Sequence, residues 1–223
     1  MVAALAASLL AGCSAAHRTV APPSPSPSPS PSAAQVLQQL AATATTARYV
    51  ATYSVVSSRA PRTHVTVFRI PGAIRVDLTS SGQTAVLIVA PRGAFSCTVS
   101  AGQRTCLAVA GPHRPLPALF DAGLQKVFTS YVLAFAEHPA QYQVRANGGT
   151  AARGTLPAGT CFYVRPLHSK PAPVATTGRY CLSTGGVVTL VAFESGRLVL
   201  ASLSGPPRGS VFNPLASPVP LPS

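Results

Sequence analysis

The chain has 223 residues, 47% of them hydrophobic and only 9% charged, against a usual charged share of about 25%. That length suits one domain of ordinary size with appendages, not two. Its four acids, Asp77, Asp121, Glu137 and Glu194, exclude most carboxylate-rich metal sites and argue against paired-carboxylate hydrolysis, while 15 Arg and two Lys set the net charge at +13.

Residues 1–12 are uncharged and apolar. They are too few to cross about 30 Å of hydrocarbon as a helix, so they read as a processed signal peptide. They run into Leu9-Leu10-Ala11-Gly12-Cys13, which resembles the bacterial lipobox, whose cysteine is diacylated and becomes the mature N terminus. No Lys or Arg precedes Cys13, and the rival reading is an alanine-rich helix with an incidental cysteine. Residues 13–34 then form a lipid-anchored cysteine and a Ser/Pro-rich tether. Alternating Ser-Pro populates extended polyproline II at about 3.1 Å per residue, enough to hold a domain roughly 40 Å from a bilayer. Elsewhere such a run would also suit an SH3-type ligand or a glycosylated stalk; its position favours a spacer.

A folded domain is expected over residues 35–204. Val36, Leu37, Leu40 and Ala44 make one apolar stripe, predicting a helix from Ala34 to about Ala47. Alternation then predicts strands over Tyr49–Val55, Thr63–Ile70, Ile74–Leu78 and Thr84–Ala90, with turns at Pro71-Gly72 and Ser80-Ser81-Gly82. A hairpin turning at Ala101-Gly102 sets Cys97 opposite Cys106 as a non-hydrogen-bonded pair, whose Cα spacing of about 4.5 Å suits a disulfide. Elimination leaves Cys161–Cys181. Zinc is the rival use of these four cysteines, but the chain has no Cys-x-x-Cys and its export signal implies an oxidising compartment.

From Leu116 to about His138 the apolar period changes to a helical one, predicting a helix of nearly six turns with a break at Gly123. Strands resume at Tyr142–Arg145, Thr160–Arg165, Arg179–Ser183, Val187–Phe193 and Leu198–Leu203. Residues 205–223 hold six prolines and read as a disordered tail. The fold class is therefore α+β: a curved antiparallel sheet whose concave face is covered by helices.

In this order the chain resembles the LolA/LprG-like superfamily of bacterial, actinobacterial-type envelope lipoproteins. The resemblance rests on Tyr49-Val50-Ala51-Thr52-Tyr53-Ser54-Val55, on Arg75-Val76-Asp77-Leu78 before a Ser-Gly turn, and on the hairpin cysteines. It rests also on Gly159-Thr160-Cys161-Phe162-Tyr163 with Gly178-Arg179-Tyr180-Cys181-Leu182-Ser183, followed by a Gly-Gly turn and Val187-Val188-Thr189-Leu190. It implies a half-barrel that carries or senses acyl chains of lipoproteins or glycolipids.

The candidate ligand wall is Leu119, Phe120, Leu124, Val127, Phe128, Tyr131, Val132 and Phe135, with Tyr49 and Tyr53 opposite; the competing reading makes the same residues a dry core. No Gly-x-Ser-x-Gly or paired-histidine motif occurs, so neither catalysis, metal nor cofactor is expected. His17 adjoins the anchor, His113 and His168 sit in Pro-rich loops, and His138 ends the long helix. Arg75 and Asp77 are expected to form a surface or rim ion pair of little net worth. The arginines lie singly along strands and loops, which points away from nucleic acid and toward solubility, anionic headgroups or wall polymers. The expected protein is lipid-anchored on the extracytoplasmic face of the cell membrane and binds a hydrophobic ligand, with an envelope protein as a further partner. The alternative is an interaction or signalling module with no pocket.

Overall fold

The computed structural model describes residues 30–57, 63–121, 123–150, 154–167 and 175–221. The signal peptide, Cys13, most of the tether, His17 and His168 lie outside the described residues.

Ser32 opens α1 (Ala33–Thr46) through a capping box: its hydroxyl accepts from the Gln35 N–H while the Gln35 side chain accepts from the Ser32 N–H at 2.7 Å. The helix buries Leu37, Leu40, Ala41 and Ala44, the predicted stripe displaced by one neighbour. Six strands follow as a meander: β1 (Tyr49–Val56), β2 (Thr63–Ile70), β3 (Ala73–Ser80), β4 (Gln83–Ala90), β5 (Gly93–Ser100) and β6 (Gln103–Ala110). Their short turns fix the register. Ala101 and Gly102 both have positive φ, 48° and 81°, as a type I′ hairpin turn requires. The outcome is Cys97 directly opposite Cys106, with Cα atoms 4.0 Å apart and the disulfide formed.

The predicted six-turn helix is shorter, and the break predicted at Gly123 is where it begins. Residues 116–120 are turn and coil, and helix begins only with a 3-10 turn at Gly123–Gln125, passes through a π-helical stretch at Val127–Tyr131, and finishes as α2 (Val132–Glu137). Pro115 and Pro117 deny the first turn its backbone donors, and the positive φ of Gly123 (58°) prevents a right-handed helix from running through it. His138 ends α2, its N–H donating to the Ala134 carbonyl.

Five more strands follow: β7 (Tyr142–Thr150), β8 (Thr160–Pro166), β9 (Gly178–Leu182), β10 (Val188–Phe193) and β11 (Gly196–Ser204). A two-residue strand, β12 (Val219–Pro220), pairs parallel with β6. All twelve belong to one open sheet, ordered β12-β6-β5-β4-β3-β2-β1-β11-β10-β9-β8-β7. The two meanders are joined at its middle, where β1 pairs with both β2 and β11. Cys161 faces Cys181 across β8 and β9, and that disulfide is also formed.

Strand alternation separates two faces. Tyr49, Tyr53, Val65, Val67, Val76, Phe162, Tyr180 and Leu198 pack with α1 and the central helical segment in the main core. Both disulfides lie on the other face, as their strand phase dictates.

On that other face the tail is not disordered, which corrects the compositional reading. A 3-10 turn at Gly209–Phe212 seats Phe212, 4% exposed, with Ala73, Val86, Ile88, Phe95 and the Cys97–Cys106 disulfide, and Val211, Leu215 and Ala216 pack around it. Proline-rich composition disfavours helix and sheet, but it does not stop a few apolar anchors from docking. Arg75 clasps the tail. Asp77 accepts two hydrogen bonds from its guanidinium, both 2.7 Å, leaving Nη1 to donate to the Val211 carbonyl at 3.1 Å. Arg92 donates to the Phe212 carbonyl and to Asn213. The Arg75–Asp77 side chains are only 14% and 15% exposed, so of the surface or rim positions expected the pair takes the more covered one, as a fork that aims a donor at the tail. Arg75→Ala is expected to speed tryptic cleavage after Arg208 by about tenfold, the worth of one charge-assisted bond to the tail; equal rates in wild type and variant would show that the clasp does not hold it.

Candidate functional site

The layer between the central helical segment and the sheet gathers most of the predicted ligand wall. Tyr49, Tyr53, Val127, Phe128, Tyr131, Val132 and Phe135 are all buried in one cluster, with Leu124 packed partly buried against it. The Tyr53 and Phe128 rings lie 4.9 Å apart between centroids. Two predicted members fall away. Leu119 is 82% exposed and Phe120 only half-buried, outside the core clusters, because the chain has not yet become helical there.

The second meander contributes aromatics that helical periodicity could not reveal. Phe135 packs edge-on against Tyr142 and Tyr180, and Tyr180 meets Tyr131 and Phe193. Buried hydroxyls find partners here: Tyr180 donates to the Thr176 carbonyl at 2.7 Å, and Tyr142 accepts from the Ala175 N–H.

Three helix types share residues 123–137 of the helical segment, which runs continuously from a 3-10 turn through the π-helical stretch into α2. A π-helical insertion of this kind is common at functional positions. Asp121, 5% exposed, braces the start by accepting from the Thr129 and Ser130 hydroxyls. Gln125 donates to the Val76 carbonyl at 3.3 Å, and Gln38 on α1 donates to the Ala136 carbonyl at 3.2 Å. The remaining tie to the sheet comes from Arg69, whose Nη2 donates to the Phe128 carbonyl.

Arg69 was not among the expected site residues. The signal for it was present, since Thr63, Val65, Val67 and Arg69 share one phase of β2 and the first three are buried. Arg69 is itself 8% exposed. Its charge acts on Tyr49 and Tyr53. Burial raises both phenol pKa values, Tyr53 well above its ordinary 10.0, and Arg69 draws them back down. Both phenols are therefore neutral near pH 7.

Openings flank the packed layer. A cavity of about 240 Å³ lies beside Arg69, lined also by Ile74, Val89, Phe128, Thr129 and Leu133. At another margin an open groove of about 980 Å³ is lined by Leu124, Tyr131, Thr176, Phe193 and Glu194.

Folding also collects arginines that stand singly in the sequence. Arg145, Tyr163, Arg179, Ala192 and Arg197 form one cross-strand row from β7 to β11, and Arg165 pairs with Gln143 beside it. Strand phase puts them on the face away from the helices, because Phe162, Val164 and Tyr180 point into the main core. A cleft of about 200 Å³ opens among Gln143, Arg145, Tyr163, Arg165 and Thr177.

Among the described residues no three His, Cys, Asp or Glu side chains gather to hold a metal ion, and no helix is long and apolar enough to cross a membrane. No protein-family model and no curated protein matches the chain.

Proposed function

We propose that this chain is an exported lipoprotein, anchored at the extracytoplasmic membrane face through acylated Cys13, whose domain is a LolA-like half-barrel. It binds acyl chains or another hydrophobic ligand between the central helical segment and the sheet, as carrier or sensor and without catalysis. The observation that carries this reading is the character of the segment covering the apolar layer. It is short and changes helix type twice between Gly123 and Glu137, is tied to the sheet by few polar bonds among the described residues, and is flanked by cavities at its margins. Lifting it would uncover aromatic and aliphatic surface suited to alkyl chains, and a bound chain would offset the cost of exposing Val127, Phe128, Tyr131, Val132 and Phe135.

The test is the native mass spectrum of the exported full chain, with extraction and identification of bound lipid, for wild type, Phe128→Trp and Val132→Trp. The expected result is a stoichiometric lipid in wild type that disappears in both filled variants. If wild type carries no lipid and the filled variants lose about 1–3 kcal/mol from overpacking, the layer is a dry core and the reading fails.

A second reading, an interaction module, is favoured by the row of Arg145, Arg179 and Arg197 around Tyr163. Anionic surfaces or polymers are its natural counterparts. Binding to an acidic envelope polymer that survives Phe128→Trp and is abolished by Arg145→Ala with Arg165→Ala would favour it.

A further inference from the structure

An arginine inside a protein normally brings an acid with it, because a desolvated guanidinium costs several kcal/mol that only a counter-charge offsets well. Arg69 is buried without one. Its described polar partners are neutral, the Phe128 carbonyl and the Tyr49 phenol, and it forms no ion pair among the described residues. Nε of Arg69 and the hydroxyl of Tyr53 are buried without a well-formed hydrogen bond, the Tyr49 phenol interacting with both residues. Two unmet polar groups stand in the same apolar layer, and their residues share one face of neighbouring strands β1 and β2.

The second observation is the space beside them. Thr45, Arg69 and Thr129 are the polar members of an otherwise apolar opening of about 240 Å³. At about 30 Å³ per water, that is the volume of roughly eight waters, enough for a charged head and a few methylenes but not for a long chain. Ile74, Val89 and Phe128 line its depth, and Leu133, 42% exposed, stands at its rim.

We propose that this cavity seats the anionic head of a single-chain amphiphile, a carboxylate or a phosphate, on the Arg69 guanidinium, with the alkyl chain lying against Phe128, Ile74, Val89 and Leu133. The inference rests on the hydrophobic-ligand reading above and narrows it to a charge class. The bound anion supplies the counter-charge that the fold withholds, and its oxygens accept charge-assisted bonds from the guanidinium, which are stronger than neutral ones. The same arrangement selects against neutral lipids, which would leave the guanidinium as uncompensated as before.

The test titrates the delipidated full chain by calorimetry with dodecanoate, dodecyl phosphate and dodecanol, all below micelle formation and at pH 7.5. Wild type is expected to bind at least one of the two anions about 10- to 100-fold more tightly than dodecanol, the worth of one or two hydrogen bonds to a charged group. The tighter of the two anions identifies the head. Arg69→Met is expected to erase the preference while still binding dodecanol, and Arg69→Lys to keep part of it. Equal affinity of wild type for all three probes would overturn the anion site and leave a hydrophobic-ligand protein. Binding of none would remove both readings together. Because the wild-type comparison decides the matter, a variant that fails to fold does not protect the proposal.

Discussion

Phe128→Ala is expected to destabilise the domain by about 3–5 kcal/mol, the range for truncating a buried phenylalanine whose site cannot collapse. Phe128 is 1% exposed and sits at the junction of the helical segment and the sheet, its ring 4.9 Å from that of Tyr53. Its neighbours cannot close in easily. Tyr53 is fixed on β1 between β2 and β11, and the Phe128 backbone is held by Arg69. Because Phe128 also lines the Arg69 cavity, the lost ring volume should enlarge that opening. Urea unfolding with both disulfides intact measures the effect as a lower midpoint at nearly constant slope. Leu119→Ala is the control: the residue belongs to the same predicted stripe, but at 82% exposure its truncation should change stability by no more than about 0.5 kcal/mol. A small loss at Phe128 would mean that the layer repacks, and that the helical segment is not seated as described.

The second large effect is expected at Gly186, in the turn between β9 and β10. Its φ is +74°, and a Cβ there would stand 2.5 Å from both the Cα and the N of Ala44 and 2.8 Å from the carbonyl carbon of Thr43. Those are backbone atoms of α1 and cannot swing aside as a side-chain tip could. The turn cannot yield either. Ser183 and Val187 bracket it with mutual hydrogen bonds, and the Gly186 N–H donates to the Ser183 carbonyl at 2.9 Å. Gly186→Ala must therefore lift α1, whose Ala41 and Ala44 are 0% and 2% exposed. Left-handed strain and overpacking together should cost about 2–4 kcal/mol, a fall of roughly 5–15 °C in Tm for a chain of this length. Gly185→Ala separates geometry from mere composition. Its Cβ would meet only the Ser183 hydroxyl, at 3.8 Å, so a change within about 0.5 kcal/mol is expected. Similar losses at both positions would refute the close approach of turn and helix.

Local chemistry made much of the fold legible. Short turns at Pro71-Gly72, Ser81-Gly82 and Ala101-Gly102 fix the strand pairings around them, and the last of these was enough to place one disulfide. Period-2 alternation put Tyr49 and Tyr53 on the side the helices cover. Four things were hidden, each for a physical reason. Apolar spacing continued smoothly through Leu116, Leu119 and Phe120, but spacing ignores what two prolines do to the backbone, so the helix begins only at the break expected at Gly123. Averaged composition made the tail read as disordered, while docking needed only Phe212 and a few neighbours. Arg69 was passed over because a charge is expected outside, although its phase with Val65 and Val67 pointed in. The arginine row over β7–β11 depends on pairings between strands far apart in sequence, which no local pattern contains.

The position of β1 in the sheet has a consequence for how the chain comes together. One edge of β1 is satisfied at once by its neighbour β2, but the other waits for β11, and Val50 meets Ser204 across 154 residues of sequence. In an exported chain that emerges N-terminal end first, β1 waits for its second partner until nearly all of the domain has followed it. For all that time the first meander exists with an exposed row of amide donors and acceptors along Tyr49–Val56, the kind of edge that recruits strands from other molecules. Joining the two meanders is thus also the act that removes the chain's most dangerous intermediate, and the last full-length strand to be made is the one that does it.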